Sequence, residues 1–442
     1  MGQRSGSDCA GTRSGLSQRG HGSCPRHAQP TGGHQGRRKR PRPYQHLQRP
    51  LGAGRRCVRA SGWGRTMTRF QLRRWLPRLG GLVGSLALAA ALIGAQSGTP
   101  VTGAGGVPKI LWTVNGQGWA GASVVLASGG QAFVADARGI ASGLDALSGK
   151  QHWRFDLGDR LLYTPAISGQ TLLLARVGEL AAVSLDGKTR WEKHIDDSPV
   201  LSPAVGKNGT IYAAGGPFLY ALDGQGKEIW QHKVSTFYSA SPVVAQDGTV
   251  YIGAKSLLLA LTPQGKVKWQ YKAASTLYAN PAIDGQGNLY LGTGSGLVSL
   301  NPAGKVRWTH KGAPLETTPL IGKENRLYLT DTAGQLTAMS LSGDVSWTVQ
   351  VGESIGGSSA LARDVIYVGT GDGLLHALNL DGQQQWALQL DGAVFGSPVI
   401  GPDGHLYVGA GRTFYALATS SPLATAPWPL ARQNAAGQGR AP

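Results

Sequence analysis

The sequence predicts an all-β fold, an eight-bladed β-propeller of four-stranded blades closed by an N-terminal strand that completes the last blade. Three observations carry this. Tryptophans recur at Trp112, Trp153, Trp191, Trp230, Trp269, Trp308, Trp347, Trp386 and Trp428, spaced 41, 38, 39, 39, 39, 39, 39 and 42. A proline stands twelve residues past most of them, at Pro165, Pro203, Pro242, Pro281 and Pro398. Pro319 comes one residue early, and Val124 and Ser359 take the place in two copies. A short apolar pair such as Val250-Tyr251, Leu289-Tyr290 or Leu406-Tyr407 then follows. A period near forty residues is the size of one propeller blade.

One period, Trp269 to Trp308, shows the elements. A polar connection leads to Asn280-Pro281 and a short run, then a turn at Asp284-Gly285. Leu289-Tyr290-Leu291-Gly292 and Leu297-Val298-Ser299-Leu300 are strands, and a turn at Gly304-Lys305 leads into a last strand ending at Trp308. Asn208-Gly209, Asp247-Gly248 and Asp403-Gly404 supply the positive φ of tight hairpins, and Gly149, Gly187, Gly226, Gly265 and Gly304 do so one hairpin later. Strands such as Leu219-Tyr220-Ala221-Leu222 put a small Ala on a closely packed face. Each recurring Trp would bury about 150–250 Å², some 4–6 kcal/mol at most by area. Trp112, Trp153, Trp191, Trp230, Trp269, Trp308, Trp347 and Trp386 are therefore read as a structural girdle between blades.

In chain order, residues 1–66 are rich in Gly, Arg, Ser, Gln and Pro and lack apolar periodicity, so disorder is expected. Arg37-Arg38-Lys39-Arg40 reads as a nucleic-acid-binding arm, or else translation starts at Met67 and the stretch is not made. The export signal that begins at Met67 favours the second. That signal, residues 67–95, has a basic start (Arg69, Arg73, Arg74, Arg78), an apolar run from Leu79 to Ala95 and small residues at Ile93-Gly94-Ala95 for cleavage. An uncleaved anchor at 79–95 is the alternative, and both place the repeats outside the cytoplasm: periplasmic, in the cell envelope or extracellular. Residues 96–106 form a linker, 107–426 the propeller and 427–442 a C-terminal tail. Residues 107–114 look like the last strand of a repeat with no earlier strands before it, while the last copy lacks a fourth strand. Joining the two closes the ring and removes exposed sheet edges.

The formal charge of +19 is a matter of location. Residues 1–66 hold 14 Lys/Arg against one acid, residues 67–95 add four Arg, and the rest of the chain is only +2. A near-neutral propeller offers no broad basic face, so nucleic-acid binding by the folded domain is set aside. Cys9, Cys24 and Cys57 all precede the repeats, which therefore use neither disulfides nor thiolate metal sites.

Gly143-Leu144-Asp145-Ala146-Leu147-Ser148-Gly149-Lys150-Gln151-His152-Trp153 resembles the tryptophan-docking motif of the pyrroloquinoline-quinone (PQQ) repeat family. Ala221-Leu222-Asp223-Gly224-Gln225-Gly226-Lys227-Glu228-Ile229-Trp230 looks like its shortened form in non-enzymatic members, and Trp428-Pro429-Leu430-Ala431-Arg432-Gln433-Asn434 is similar to a segment that accompanies such repeats. The resemblance spans about residues 107–434. In style the chain looks like the non-catalytic propeller subunit of the outer-membrane β-barrel assembly machine.

The resemblance implies either quinoprotein dehydrogenases, which hold PQQ and calcium on the axis, or binding scaffolds. The repeats have no cysteine, carry short uniform blades and place Asp223, Asp247 and Asp284 in turns that hairpin chemistry explains. No carboxylate cluster reads as a calcium site. The expectation is an exported, non-catalytic scaffold for envelope proteins or peptides, monomeric, without cofactor or metal. The alternatives are a PQQ-dependent dehydrogenase with a degenerate site, or a cell-surface module for glycan or peptide.

The connections between Trp and Pro vary most from copy to copy and should line one mouth of the ring. They carry Trp119, Arg160, Tyr163, Phe237, Tyr238, Tyr278, Glu316, Glu353 and Phe395. These either form an aromatic mouth with two acids suited to a peptide or glycan, or they cap the axial ends of the blade cores.

Overall fold

The computed structural model describes residues 106–441 apart from 122–123, 159–162, 235 and 435–436. The basic segment 1–66, the export signal 67–95, the linker up to residue 105 and Arg160 lie outside the described residues.

Thirty-two strands build eight four-stranded antiparallel sheets, the blades of a β-propeller. Blade five is typical, with strands Ala282–Ile283, Leu289–Thr293, Gly296–Leu300 and Val306–Lys311. Its first strand is two buried residues, and first strands of neighbouring blades approach one another around the axis. Its second and third strands are buried throughout, because both faces lie under adjacent blades. The outermost strand alternates between exposed and half-buried residues, as an edge strand with one solvated face must.

Antiparallel meandering fixes two faces. Turns between first and second strands, and between third and outermost strands, lie on what we call the lower face. Turns between second and third strands, and the connections to the next blade, lie on the upper face.

The recurring residues meet in one row across each blade. Tyr251 pairs with Ala260, which pairs with Trp269; Tyr290, Ser299 and Trp308 repeat the row. The small middle residue lets the outer rings meet over it, with centroids 5.6 Å apart for Tyr251 and Trp269 and 6.0 Å for Tyr290 and Trp308. Each indole then reaches the next blade. Trp269 Nε1 donates to the Pro302 carbonyl at 2.9 Å, and Trp230 to Pro263 at 2.8 Å. The ring lies flat on the turn glycine: a Cβ on Gly304, at φ +77°, would stand 2.6 Å from the Trp269 ring. Positive φ and close approach together exclude any other residue there. Trp386 faces blade eight, where no such turn exists because the chain ends meet there. The first-hairpin turn of blade five differs in detail from the sequence expectation, since its positive φ falls on Gly287 and not on Gly285.

Blade eight takes Val399–Ile400, Leu406–Ala410 and Thr413–Leu417 from the C-terminal end. Ile110–Asn115 supplies its outermost strand, with Thr113 opposite Tyr415 and Val114 opposite Phe414. The strand that completes the last blade is thus the N-terminal one, as the incomplete first and last copies imply. Loop-closure entropy grows only logarithmically with the length closed, so one ladder suffices to hold the ring.

The C-terminal tail is the largest departure from the repeat. Trp428 keeps the spacing of the docking tryptophans but does not dock a blade. It is fully buried on the lower face and exchanges backbone hydrogen bonds with Ile321 of blade six. The tail then runs across the axis beneath the first strands. Leu361 N–H donates to the Pro429 carbonyl, Val205 N–H to Gln438 and Val244 N–H to Gly439. Those short inner strands would otherwise leave backbone donors unpaired at the lower end of the channel.

Candidate functional site

With the described tail covering the lower end, the axis opens upward into a cavity of about 260 Å³. Its floor is Ala431 and Arg432 of the tail, and its walls come from the connections of blades two to eight, including Tyr163, Tyr278 and Glu316.

The wall is polar for a repeating reason. The residue before each proline position is a hydroxyl or amide: Thr164, Ser202, Ser241, Asn280, Thr318, Ser358 and Ser397. Three of these side chains, those of Asn280, Ser358 and Ser397, cap backbone donors one blade back. Ser241 N–H donates to Asn280 Oδ1 at 2.8 Å, Thr318 N–H to Ser358 Oγ at 2.8 Å and Ser358 N–H to Ser397 Oγ at 3.0 Å. The sequence reading used the prolines and passed over the residues before them.

Arg432 is almost wholly buried, and its Nη atoms donate to the carbonyls of Pro203 (2.8 Å) and Pro242 (3.2 Å). Its Nε has no hydrogen-bond partner. Burial without a carboxylate pulls its pKa down to about 10, so the guanidinium is still charged at neutral pH. Among the described residues its hydrogen-bond acceptors are these two carbonyls. Sequence reasoning missed it, because both acceptors are backbone atoms of blades far away in the chain.

The connections fix the remaining side chains. Phe237 is 59% exposed and Tyr278 48%, on the connections that enter and leave blade four. They are tied together through blade four's upper turn. Lys255 N–H donates to Ser239 Oγ at 2.9 Å, Leu277 N–H donates to the Lys255 carbonyl at 2.8 Å, and Ser239 Oγ donates to the Leu277 carbonyl at 3.0 Å. Tyr238, next to Phe237, points the opposite way and is buried in the core of blades three and four. Burial pushes its phenol pKa up, and its hydroxyl has no partner. It is not available to a partner at the surface. Tyr163 is half-buried at the cavity wall, with its phenol pKa also raised by burial.

Trp119 and Phe395 form a second aromatic group across the ring. Their rings meet edge to face at 5.7 Å, with Trp119 45% exposed. The buried carboxylate of Asp136 holds this connection by accepting the N–H groups of Gln117 (2.7 Å), Gly118 (2.9 Å) and Arg138 (2.9 Å). Phe395 packs so closely on Gly356 that a Cβ there would stand 2.5 Å from the ring. Glu316 and Glu353 are exposed on separate connections. Of the nine candidates, the structure brings Tyr163, Tyr278 and Glu316 to the cavity and leaves Phe237 exposed on the preceding connection. It pairs Trp119 with Phe395, leaves Glu353 at the rim and buries Tyr238; Arg160 is outside the described residues.

The cavity's lining offers one carboxylate, Glu316, among hydroxyls, an amide and a guanidinium. Among the described residues, no three His, Cys, Asp or Glu side chains gather as a metal site. The histidine most deeply placed, His376, is a core residue of blade seven. Its Nδ1 lies 2.9 Å from Gln384 Oε1, and burial lowers its pKa.

Fold and site together define a β-propeller of the PQQ-repeat class, with a plugged lower face and a polar, aromatic-rimmed upper mouth. The chain belongs to the family described as outer membrane protein assembly factor BamB, whose model matches residues 108–256, 176–318 and 254–426. The overlapping matches reflect the internal repeat. Comparison with curated protein sequences gives no match. Among solved structures, BamB from Moraxella catarrhalis is similar, with a TM-score of 0.62 at 17% identity, covering 70% of this chain and 99% of that one. The computationally designed Ika8 protein is similar at a TM-score of 0.60 and 15% identity, covering 71% of this chain and 99% of that one. That a designed protein matches as well as a natural one shows how far such likeness speaks for the fold alone.

Proposed function

We propose that this chain is an exported, non-catalytic propeller that binds envelope proteins or peptides through its upper mouth and holds them for assembly. The observation that carries the reading is the asymmetry of the two faces. The lower face is sealed by the chain's own tail, whereas the upper face leaves Phe237, Tyr278 and Trp119 exposed around an open cavity. Exposed aromatics on a rigid scaffold are common anchors for protein partners. Membership of a family named for outer membrane protein assembly supports an envelope role.

The residues at hand do not fit the calcium and quinone of the enzymatic class. Calcium takes six to eight oxygen ligands, usually with several carboxylates, and the cavity has only Glu316 among its described lining. Among the described residues no three His, Cys, Asp or Glu side chains gather beside a base, which favours the scaffold reading. The test has two arms. Titration with PQQ and calcium, followed by tryptophan fluorescence and a dye-linked alcohol or sugar oxidation assay, is expected to give neither saturable quenching nor dye reduction. Chemical cross-linking in intact cells is expected to join the protein to specific envelope proteins. Dye reduction, or the absence of any envelope cross-link, would contradict the reading.

A further inference from the structure

Charge is unevenly distributed around the ring. Residues 203–319, covering blades three to five, hold ten Lys/Arg against five Asp/Glu. Residues 320–419, covering blades six to eight, hold four against nine. The near-neutral total conceals a ring with one basic half and one acidic half.

On the upper rim the two signs lie mostly in separate arcs, with Asp196 beside the upper turn of blade three and Arg412 in the upper turn of blade eight as exceptions. Lys233, Lys272 and Lys311 close the outermost strands of blades three, four and five. They share one register, each opposite the first residue of the third strand: Phe218, Leu257 and Gly296. Lys255 sits in the upper turn of blade four between them. All four are exposed, and among the described residues none forms an ion pair. Other lysines do: Lys193 pairs with Glu228 and Lys268 with Asp247. Beyond blade five the rim carries Glu316, Asp331, Glu353, Asp372 and Asp391.

Phe237 and Tyr278 stand within the basic arc on the two connections flanking blade four, where Ser239 and Leu277 hydrogen-bond to the Lys255 backbone. Under the same arc the cavity floor holds the Arg432 guanidinium, which donates to the carbonyls of Pro203 and Pro242 and among the described residues forms no ion pair. Among the described residues, lysines without ion pairs, two exposed aromatics and a cavity with a cationic floor therefore coincide over three blades.

We propose that the upper rim of blades three to five binds an acidic polypeptide segment, seated along Lys233, Lys255, Lys272 and Lys311 and anchored on Phe237 and Tyr278. The inference rests on the reading of the upper mouth as the partner-binding face and names the chemistry of the partner. The acidic arc repels such a segment from the far half of the rim, which fixes where it lies. A flat anionic membrane would meet both arcs at once, whereas a narrow polypeptide can follow one. At physiological salt, screening over about 8 Å leaves the segment answering to the charges beneath it rather than to the whole ring.

The test uses the purified protein and a fluorescein-labelled peptide of repeated Glu-Glu-Tyr, read by fluorescence anisotropy. Saturable binding is expected, weakening as salt rises. The combined variant K233E/K255E/K272E/K311E should weaken it at least about 30-fold, because rim charges set such encounters. The control K207E/K227E/K266E/K305E reverses four lysines of lower-face turns with the same change in net charge, and should weaken binding less than about 3-fold. All eight positions are surface residues, and unchanged circular dichroism would confirm that both variants fold. Equal losses in the two variants would overturn the proposal, as would no binding by the unaltered protein. So would binding of phosphatidylglycerol vesicles that depends on the four upper lysines while the peptide does not bind. If the peptide fails but cross-links to envelope proteins in cells persist in the upper-rim variant, the inference falls and the scaffold reading stands. If those cross-links are also absent from the unaltered protein, both fall.

Discussion

The two faces of this propeller are built from the same repeat and do opposite things. On the lower face the turns from third to outermost strand are constrained twice, by their own positive φ and by the tryptophan of the preceding blade lying on them. The tail then covers the axis and places Trp428 and Arg432 where solvent does not reach. On the upper face the connections are fastened by backbone and hydroxyl hydrogen bonds, but their side chains vary and several stay exposed. The difference shows how one repeat can carry both stability and recognition. Residues that recur do so because packing demands them, which leaves the non-recurring residues on the opposite face free for a partner.

The sharpest test of that division compares a lower and an upper aromatic. Trp428→Ala removes a fully buried indole and should cost about 3–5 kcal/mol. Phe237→Ala should change stability by less than about 0.5 kcal/mol because its ring is largely exposed. Chemical denaturation of both variants reads the difference, and a large loss for Phe237→Ala would mean the upper face is structural too.

Next in size is Arg432→Ala. It leaves the carbonyls of Pro203 and Pro242 without their donors, so a loss of about 2 kcal/mol is expected. Relief of the buried charge opposes this, and a variant more stable than the parent would show that desolvation outweighs the two hydrogen bonds.

A glycine pair sharpens the steric half of the account. Gly304→Ala places a Cβ at positive φ against the Trp269 ring and should cost about 1–3 kcal/mol. Gly285→Ala, on the same face and blade, meets no neighbouring atom and has no positive φ. It should be neutral or slightly stabilising, by at most about 1 kcal/mol.

The smallest effect is on pH dependence. His376 is held neutral by burial, so its folded-state pKa lies below the ordinary value of 6.5. The unfolded chain then binds the proton more readily, and stability falls as pH drops below 6.5 toward the folded-state pKa. Denaturation midpoints of His376→Gln should decline less between pH 7 and pH 5 than those of the parent. Equal declines would assign the acid sensitivity to other groups.

Much of the fold is legible in the sequence because its constraints repeat. The Trp and the turn Gly meet at each blade junction except that after Trp386, over a small residue in the third strand, so their spacing reveals the architecture and the strand that closes it. Trp428 shows the limit: it keeps the period while belonging to the tail, and spacing alone does not tell a docking ring from a plug. The site is legible only as a set of connections. Phe237 and Tyr238 are neighbours in sequence, yet alternation along an extended segment exposes one and buries the other. Arg432 shows nothing in sequence, since its acceptors are main-chain carbonyls. The basic and acidic arcs emerge only when each charge is assigned to a face, because the chain total cancels them.

The most direct test of the division between the faces is site-resolved photo-cross-linking in intact cells. A photoreactive phenylalanine analogue would replace Phe237 on the upper face in one strain. In the other it would replace Leu147, 58% exposed in a lower turn. A discrete adduct with an envelope protein from position 237 and none from position 147 is the predicted result. Adducts of equal yield from both positions, or from position 147 alone, would contradict the assignment of recognition to the upper face.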